Sequence, residues 1–449
     1  MKSFMFVSLI LVLSAGILMA GGIVTNTNQS AAYMRTLNRN ASTDVDAVYY
    51  NPAGLTKLED GLHLSLSNQS IWQTKTVTNS YPNLNNDEFV GDVAALLFPN
   101  LYLAYKMGNL VISGGFEPIG GGGSAVYEDG LPSFEMGFTD YIGLPASLIN
   151  TALAPYGNIT GYSLDINFEG SSVYYGGQVG ITYGLNDLIA IAAGMRYVYA
   201  KNIYTGYLKN IALKTDGGIG DIAGVVPDKE VDAVQTGSGM TGIFNINISP
   251  SDMLNISARY ETITKLRLEN DTKVDDTGKF PDGKKTNADM PAMLALGVSF
   301  KPAEKLRTEL DFNYYMNTGV DWDWATRDTT VGTKAEDFLG NGYEIGLAVE
   351  YCLNEKLLAS VGFSYGDMGV KDVYQTDLSY SLPSTTIGLG IGYRITDKML
   401  INIGALNTFY QDGSRDGVRK NALTTAPINY TEEYAKANFG FAFGIDYKF

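Results

Sequence analysis

The chain has very few of the residues from which most catalytic and metal centres are built. Its 449 residues include one cysteine, Cys352, and one histidine, His63. A single cysteine excludes an intrachain disulfide and a Cys-based metal site. A single histidine removes most zinc sites and every Ser-His-Asp triad that does not use it. Asp60 and Ser65 flank His63, but a triad needs groups that converge from separate segments.

Nucleotide-binding loops and long apolar runs are also missing. The sequence has no P-loop and no GxGxxG placed between a strand and a helix. Beyond the N-terminus it has no run of the ~18 apolar residues that a membrane helix needs. The acidic segments 271–282 and 321–328 lack a complete calcium-loop motif and are more typical of solvated loops. We therefore predict no catalytic residues, no metal and no cofactor, and a protein that is not an enzyme.

Basic residues are scarce relative to acidic ones. The 32 Lys and Arg against 48 Asp and Glu give a formal net charge of −16. Binding to nucleic acid needs a cationic surface that replaces the released counterions. The composition therefore argues against nucleic acid as a partner.

The N-terminus has the pattern of an export signal. Lys2 supplies a positive charge, residues 4–19 form an apolar core, and Ala20 or Gly22 offers a small residue for cleavage. We predict a signal peptide over residues 1–20.

Alternation of apolar and polar residues dominates most of the remaining chain. Leu62, Leu64 and Leu66 are separated by His63 and small polar residues, and the same period of two recurs along residues 61–449. In residues 384–396 the apolar residues alternate with glycines. In a barrel surrounded by lipid, bulky residues face outward, and small inward residues leave volume for a plug or a ligand.

The spacing of these segments predicts an all-β fold, a transmembrane antiparallel β-barrel of about fourteen strands. Short turns alternate with long segments, as in outer-membrane barrels with short periplasmic turns and long extracellular loops. An even count places both termini in the periplasm. The predicted strands are roughly 61–73, 94–107, 109–118, 172–184, 188–201, 237–249, 253–268, 290–301, 305–318, 341–353, 356–367, 384–396, 399–411 and 436–449.

The last predicted strand carries a signal of its own. It places an apolar or aromatic residue at every second position and ends on Phe449. Chains that end in this way resemble outer-membrane barrels that the barrel-assembly machinery recognises through the final aromatic residue. We therefore predict that machinery as a partner.

Residues 21–60 precede the first strand and are predicted to form a plug of short helices. Ser30 can cap a helix over residues 31–37, and Ser42 can cap a second over residues 43–49. Pro52 ends the second helix because it disfavours helical angles at Asn51. Gly54 then permits an unusual backbone angle.

This stretch resembles the N-terminal hatch of the FadL family, outer-membrane channels for long-chain fatty acids and other hydrophobic compounds. Asn51, Pro52 and Ala53 match the family's Asn-Pro-Ala motif position for position, and Gly54 follows. The resemblance implies a hatch inside a barrel, contact with outer-membrane lipid and lipopolysaccharide, and a monomer. One departure is that the segment before the motif carries Tyr33 and two arginines where the family often has small residues.

Glycines and a proline cluster at the end of the third predicted strand. Proline removes a ladder donor and glycine allows a kink, so the sheet is expected to break here. The family has a kinked third strand that opens a lateral gap in the wall. The simpler alternative is a glycine-rich start to the next loop. The predicted residues of the opening are Gly114, Gly115, Pro118, Gly120 and Gly121.

The long loop after this strand is unusually apolar over residues 138–156. Pro145 can begin a short helix over residues 146–153. Exposed apolar surface usually marks a binding site, and in the family the corresponding loop forms an outer groove that captures the ligand. The alternative is a loop that folds on a small core of its own. The predicted groove residues are Phe138, Tyr141, Ile142, Leu144, Leu148, Ile149 and Leu153.

Four arginines are candidate partners for a ligand carboxylate, because a buried unpaired charge is costly. The alternation places Arg196 and Arg259 in the lumen, and Arg35 and Arg39 lie on the plug. The alternative is that each pairs with a lumen carboxylate such as Glu261, Glu344 or Glu350 and fixes the plug.

Together these features predict an outer-membrane channel for passive uptake of hydrophobic molecules, with long-chain fatty acids as the first candidate. The ligand would be captured in the outer groove, pass the hatch and leave sideways through the barrel wall. Alternatives are hydrocarbon or aromatic uptake by the same route, a porin for polar solutes, and a structural or adhesive surface protein.

Overall fold

The computed structural model describes residues 29–324 and 331–449. The predicted signal peptide, its cleavage site and the first eight residues of the predicted plug lie outside these residues, as do positions 325–328 of the second acidic segment. Within the described part of the chain, none of the helices is long and apolar enough to cross a membrane.

Strands dominate the described residues, and the helices are short. The strands are β1 Gly61–Asn79, β2 Glu88–Met107, β3 Leu110–Tyr127, β4 Ile159–Gly184, β5 Ile189–Thr215, β6 Ile222–Ala223, β7 Lys229–Ser251, β8 Leu254–Glu261, β9 Arg267–Asp275, β10 Lys285–Asn287, β11 Ala292–Ala303, β12 Leu306–Met316, β13 Gly342–Cys352, β14 Leu357–Asp367, β15 Ser384–Thr396, β16 Met399–Tyr410, β17 Gly413–Lys420 and β18 Pro427–Lys448. The α-helices are α1 Ala31–Thr36, α2 Ala47–Tyr50, α3 Pro132–Thr139 and α4 Ala335–Phe338. Short 3₁₀ turns lie at Pro52–Lys57, Ala146–Leu148, Thr151–Tyr156, Asn317–Gly319 and Asp372–Tyr374.

The strands form one closed antiparallel barrel. β1 pairs with β2 on one side and with β18 on the other, from His63 opposite Lys448 to Asn79 opposite Glu432. Three barrel strands are interrupted, so that β8 with β9, β10 with β11 and β16 with β17 each act as one. The two-residue β6 lies in a loop and pairs only with β5. The barrel therefore has the predicted fourteen strands.

Several strands are longer than predicted at the end where the long loops lie, which we call the loop end. The fourth predicted strand, 172–184, begins at Ile159 instead and pairs with β5 along most of its length. The alternation that marks a strand is weak here, because over residues 159–168 exposed and buried residues do not follow a period of two. At the opposite end, which we call the turn end, the predicted boundaries agree closely with the structure.

The two faces of the barrel wall lie as the alternation predicted. On β1, Leu66 is 51% exposed on the outside, whereas His63, Ser65 and Ser67 face the lumen at 5%. On β15, Leu389 is outside and the glycines on either side face inward. The outward residues form a band of aliphatic and aromatic side chains, as a bilayer requires.

The plug lies inside the barrel and consists of α1, α2 and the 3₁₀ turn Pro52–Lys57. Ser30 caps α1 as predicted, since its Oγ accepts from Tyr33 N at 3.1 Å. The predicted second helix is wrong in its start: α2 begins at Ala47, and Ser42 does not cap it. The Ser42 hydroxyl is instead engaged with its own neighbours, donating to Asp46 Oδ1 at 2.6 Å and accepting from Arg39.

Lumen glycines make room for α1. A methyl group on Gly362 of β14 would overlap the carbonyl of Thr36, and one on Gly388 of β15 would lie 2.8 Å from Met34 O. The same holds on β16, where a methyl group on Gly404 would lie 2.7 Å from Arg35 N. Gly362, Gly388 and Gly404 are therefore in direct contact with the plug, whereas the inward Gly392 faces Leu358 of the wall.

Candidate functional site

The Asn-Pro-Ala-Gly motif anchors the hatch to the barrel wall. Asn51 is fully buried, and its Nδ2 donates to Ser42 O at 2.9 Å and to Asn247 Oδ1 at 2.7 Å. Its Oδ1 accepts from Ser257 Oγ at 2.8 Å. One side chain thus ties the hatch turn to both β7 and β8.

The backbone of the motif is also hydrogen-bonded to the barrel wall. Ala53 N donates to Asn245 Oδ1 at 2.6 Å, and Pro52 O accepts from Thr182 Oγ1 at 2.7 Å. A methyl group on Gly54 would overlap Asn51 Nδ2 and Ser42 O. The glycine is needed here because the turn closes on itself, not because of its backbone angle.

Two of the candidate arginines lie on the hatch and are paired. Arg39 contacts Asp46 through both Nε and Nη2 at 2.7 Å and Asp44 at 2.6 Å, all within the hatch. Arg35 is bonded to Glu350 on β13 and donates to Ser360 Oγ on β14 at 2.9 Å. The first arginine therefore stiffens the hatch, and the second attaches α1 to the wall.

The other two arginines form a buried cluster beneath α2. Arg196 donates to Glu261 Oε2 at 2.7 Å, and Arg259 lies 3.4 Å from the same carboxylate. Both guanidinium groups face the ring of Tyr49, at 4.6 and 5.0 Å from its centroid, and Arg259 also donates to Tyr49 O. Arg196 further approaches Glu117 of β3 at 3.5 Å. This geometry favours the alternative in which the arginines fix the plug, since carboxylates of this chain already face all four.

The hydrogen-bonded ladder between β2 and β3 is interrupted. The two strands pair from Met107 opposite Leu110 to Leu101 opposite Phe116, and again only at Val93 opposite Ala125 and at the next pair. Residues 94–100 and 117–124 between these points are unpaired with each other. We call these two segments the window.

The predicted kink residues lie at and before this window. Pro118, Gly120 and Gly121 are inside it, at two register shifts between β3 and β4. Gly121 has a φ of +93°, which a residue with a side chain adopts only under strain. Gly114 and Gly115 precede the window and pair regularly with β2.

A residue of β1 that sequence reasoning missed holds the other edge of the window. Asn68 Nδ2 donates to Leu96 O at 3.0 Å, and its Oδ1 accepts from Phe98 N at 2.9 Å. These bonds draw β2 toward β1 at a bulge where Leu96 and Leu97 both face outward. A signal was present, because Asn68 continues the lipid-facing series of Leu62, Leu64 and Leu66 with a polar side chain.

Inside the window the lumen is filled by buried side chains. Glu117 and Ile119 of β3 face inward and are fully buried, together with Tyr102 of β2. Ile119 packs in the same cluster as Tyr102, Tyr174 and the hatch residues of α2. The hatch and the inner side of the window are therefore in one continuous core.

The apolar loop 138–156 packs into a core that it shares with β4 and β5. Phe138 and Tyr141 are buried in a cluster with Tyr162, Leu208 and Ile211. Ile142, Ile149 and Leu153 pack against it in part, Leu144 is half-buried, and Leu148 is 66% exposed.

The predicted helix 146–153 is wrong. Two 3₁₀ turns stand there, since Asn150 Oδ1 accepts from Ala152 N and starts a new turn. The α-helix of this loop is instead α3, which begins at Pro132, ahead of the predicted stretch.

An apolar groove lies beside this loop at the loop end. Phe134 of α3 and Phe168 of β4 form one wall, with their rings 5.3 Å apart edge to face. Leu208, Val231 and Phe280 line the remainder, and Lys229, Glu230 and Lys279 lie at its edge. The predicted groove residues are next to this groove and do not line it.

Three carboxylates attach α3 to neighbouring segments: Glu135 lies on α3, Asp140 directly follows it, and Asp377 comes from a distant loop. Asp140 forms a two-bond pair with Arg419 of β17 at 2.6 and 2.7 Å. Glu135 accepts from Tyr162 Oη at 2.6 Å, and Asp377 accepts from Ser133 N at 2.8 Å. Burial raises the pKa of both Glu135 and Asp377 above the usual carboxyl values.

These raised pKa values predict that α3 loosens as pH rises. A carboxyl whose pKa is raised by folding contributes stability below its ordinary pKa, and that contribution is lost as pH rises through the raised value. Hydrogen exchange of residues 132–139, corrected for the intrinsic rate, is expected to be faster at about pH 8 than at about pH 5. Glu135→Gln reduces the difference, and adding Asp377→Asn removes it. A difference that survives both substitutions contradicts the assignment.

In the described residues no group of three or more histidine, cysteine, aspartate or glutamate side chains is placed to hold a metal ion.

No family profile matches the sequence, and no curated protein matches it either. The fold does match solved structures. A FadL homologue from Pseudomonas aeruginosa superposes with a TM-score of 0.67 at 12% identity, over 96% of this chain and 100% of that one. The chain has the FadL fold.

Two further structures share the FadL fold. The Pseudomonas putida toluene transporter TodX matches with a TM-score of 0.56 at 14% identity, over 90% of this chain and 94% of that one. The Ralstonia pickettii toluene transporter TbuX matches with a TM-score of 0.53 at 15% identity and the same coverage.

Proposed function

We propose that this protein is an outer-membrane channel for the passive uptake of hydrophobic molecules, with long-chain fatty acids as the first ligand class. The observation that carries the proposal is the window, an interruption of the β2–β3 ladder beside a filled lumen. Where a ladder in a lipid-facing wall is interrupted, backbone N–H and C=O groups lose their partners, which costs free energy. We take this cost as a sign that the interruption has a function. An opening to the side suits a cargo that dissolves in the membrane.

The groove at the loop end supplies the first contact. Its lining of Phe134, Phe168, Leu208, Val231 and Phe280 is apolar, and it opens toward the outside in this proposal. From there the ligand moves into the lumen and shifts the hatch core that Ile119 and Tyr102 share. It then leaves through the window into the bilayer. No energy source is needed, since the ligand partitions downhill into lipid.

Neutral aromatic or aliphatic hydrocarbons are the second ligand class by the same route. Two of the structures with this fold are described as toluene transporters. The groove is rich in phenyl rings, which accept aromatic ligands by edge or offset stacking.

A porin for polar solutes is less well supported. A porin needs an open aqueous lumen, whereas here the hatch residues are buried against the wall on several sides. The proposal also places the protein in the outer membrane as a monomer, with both termini in the periplasm and Phe449 recognised during assembly.

Uptake by vesicles containing the protein tests the function. Lipid vesicles with the purified protein are expected to take up radiolabelled dodecanoate faster than protein-free vesicles. Phe134→Ala removes one wall of the groove and is expected to slow uptake at low ligand concentration by about tenfold, as loss of a buried aromatic contact of about 1.4 kcal/mol implies. Leu148→Ala, a truncation of an exposed apolar residue in the same loop, is the control and leaves uptake unchanged.

Ion conductance distinguishes the competing function. If the vesicles show steady ion conductance and no faster entry of dodecanoate or toluene, the protein is a porin and the proposal fails.

A further inference from the structure

Two lysines face each other inside the barrel near the loop end. Lys75 of β1 and Lys436 of β18 are direct cross-strand partners, and both side chains point into the lumen. Within the described residues, no carboxylate lies within ion-pair distance of either lysine, and the ammonium group of Lys75 has no hydrogen-bond partner. This differs from the four candidate arginines, each of which faces a carboxylate.

The pair is unfavourable as it stands. Like charges directly opposite each other on neighbouring strands are destabilising, and a charge inside a protein is costly without a partner. Lys436 is partly compensated, because its Nζ donates to Tyr380 O at 2.6 Å and lies 4.3 Å from the centre of that ring. An anion placed between the two ammonium groups would compensate both.

Aromatic side chains surround the pair. Gly91 is the partner of Lys75 on β2, and the ring of Tyr127 lies directly over it. Tyr380 stacks on Tyr434 with their centres 4.8 Å apart, and Tyr410 lies 5.8 Å from Lys436 Nζ. The site thus combines two cations with apolar walls.

Solvent reaches the two lysines, which lie between the hatch and the loop end of the barrel. Gln73 and Asn438 flank the lysines on the lumen side and remain partly exposed, so solvent reaches this part of the lumen. Asn438 Oδ1 is buried without a hydrogen-bond partner among the described residues. Farther down the same strand, a methyl group on Gly440 would lie 2.5 Å from Met34 Cε of α1.

We propose that Lys75 and Lys436 bind the anionic head group of an amphipathic ligand between the outer loops and the hatch. The head group is a carboxylate or an anion of similar size, and the apolar chain lies against Tyr127, Tyr380 and Tyr410. This inference rests on the proposed function and assigns the residues that would select its first ligand class, amphipathic anions such as fatty acids, over its second, the neutral hydrocarbons.

Matched probes test the inference. Equilibrium binding of radiolabelled dodecanoate and dodecanol to the full-length protein in nanodiscs separates the charge from the chain. Lys75→Gln with Lys436→Gln is expected to weaken dodecanoate binding by about tenfold, the loss of roughly one charged hydrogen bond. Dodecanol binding is expected to stay within about twofold, because the chain contacts are kept.

Two further variants keep the test independent of folding. Lys75→Arg retains the charge and is expected to retain the preference for the acid. Lys301→Gln with Lys398→Gln removes the same net charge at exposed positions and is expected to change neither affinity. If the double glutamine variant keeps the ratio of dodecanoate to dodecanol affinity, the lysine site is wrong while the proposed function stands. If the wild type binds neither probe, the proposed function itself fails, and the inference with it.

Discussion

Gly362→Leu is expected to expel the hatch and turn the protein into an open channel. The Cβ alone would overlap the carbonyl of Thr36, which is backbone and has nowhere to move within α1. Overpacking of this kind typically costs about 1–3 kcal/mol even where neighbours can shift. The fourteen-stranded wall has far more internal contacts than α1 has with the wall. We therefore expect the hatch to be displaced while the wall keeps its structure.

Ion conductance in planar bilayers measures the effect. The wild type is expected to stay closed, and Gly362→Leu is expected to give steady single-channel currents. Gly177→Leu is the matched control, since this strand glycine faces outward and a methyl group there would contact nothing within 4 Å. A correctly assembled Gly362→Leu barrel that remains closed would show that α1 does not seal the lumen.

Closing the window with a disulfide is expected to stop uptake. A methyl group on Gly123 of β3 would lie 3.0 Å from Ala95 Cβ of β2, somewhat less than the ~3.5–4.5 Å between the Cβ atoms of a disulfide, so a small separation of the two strands allows the bond. In a Cys352→Ala background, oxidised Ala95→Cys with Gly123→Cys is expected to reduce dodecanoate uptake to the level of protein-free vesicles. A reductant is expected to restore it, because the bond joins two edges that must separate.

A second cysteine pair controls for cross-linking as such. Tyr105 and Ile112 are cross-strand partners on the same two strands, outside the window and facing the lipid. Tyr105→Cys with Ile112→Cys is expected to leave uptake unchanged when oxidised. Unchanged uptake in the oxidised Ala95 and Gly123 pair would mean that the ligand does not leave between β2 and β3.

The sequence was sufficient for the barrel because lipid imposes a strict alternation. Leu66 and Leu389 lie outside and Gly388 lies inside, as that rule requires. The same rule placed Arg196 and Arg259 in the lumen, where the structure has them. The hatch motif was also identifiable, since Pro52 restricts the backbone of Asn51. The reason for Gly54 was not identifiable, because the close approach of Ser42 O and Asn51 Nδ2 depends on how the hatch folds.

Outside the bilayer this rule weakens, and the predictions fail there. Residues 159–171 belong to β4 although their sequence lacks the alternating apolar residues of a lipid-facing strand. Pro132 begins a helix whose sequence showed no helical periodicity. The observed groove is lined by other residues than the predicted groove for the same reason. Which side chains Phe138 and Phe134 contact depends on tertiary contacts between distant loops. The pairing of Lys75 with Lys436 likewise depends on how the first and last strands meet, which local pattern does not specify.

The most direct measurement of the lateral route is photolabelling of the protein during uptake. Vesicles with wild-type protein are loaded with a dodecanoate analogue that carries a diazirine at its chain end, and the labelled peptides are located by mass spectrometry. The proposal predicts adducts in residues 94–100 and 117–124, and their disappearance in the oxidised Ala95→Cys, Gly123→Cys variant. Adducts confined to the hatch and to lumen residues at the turn end, with the window unlabelled, would contradict lateral release and favour a path straight through the barrel.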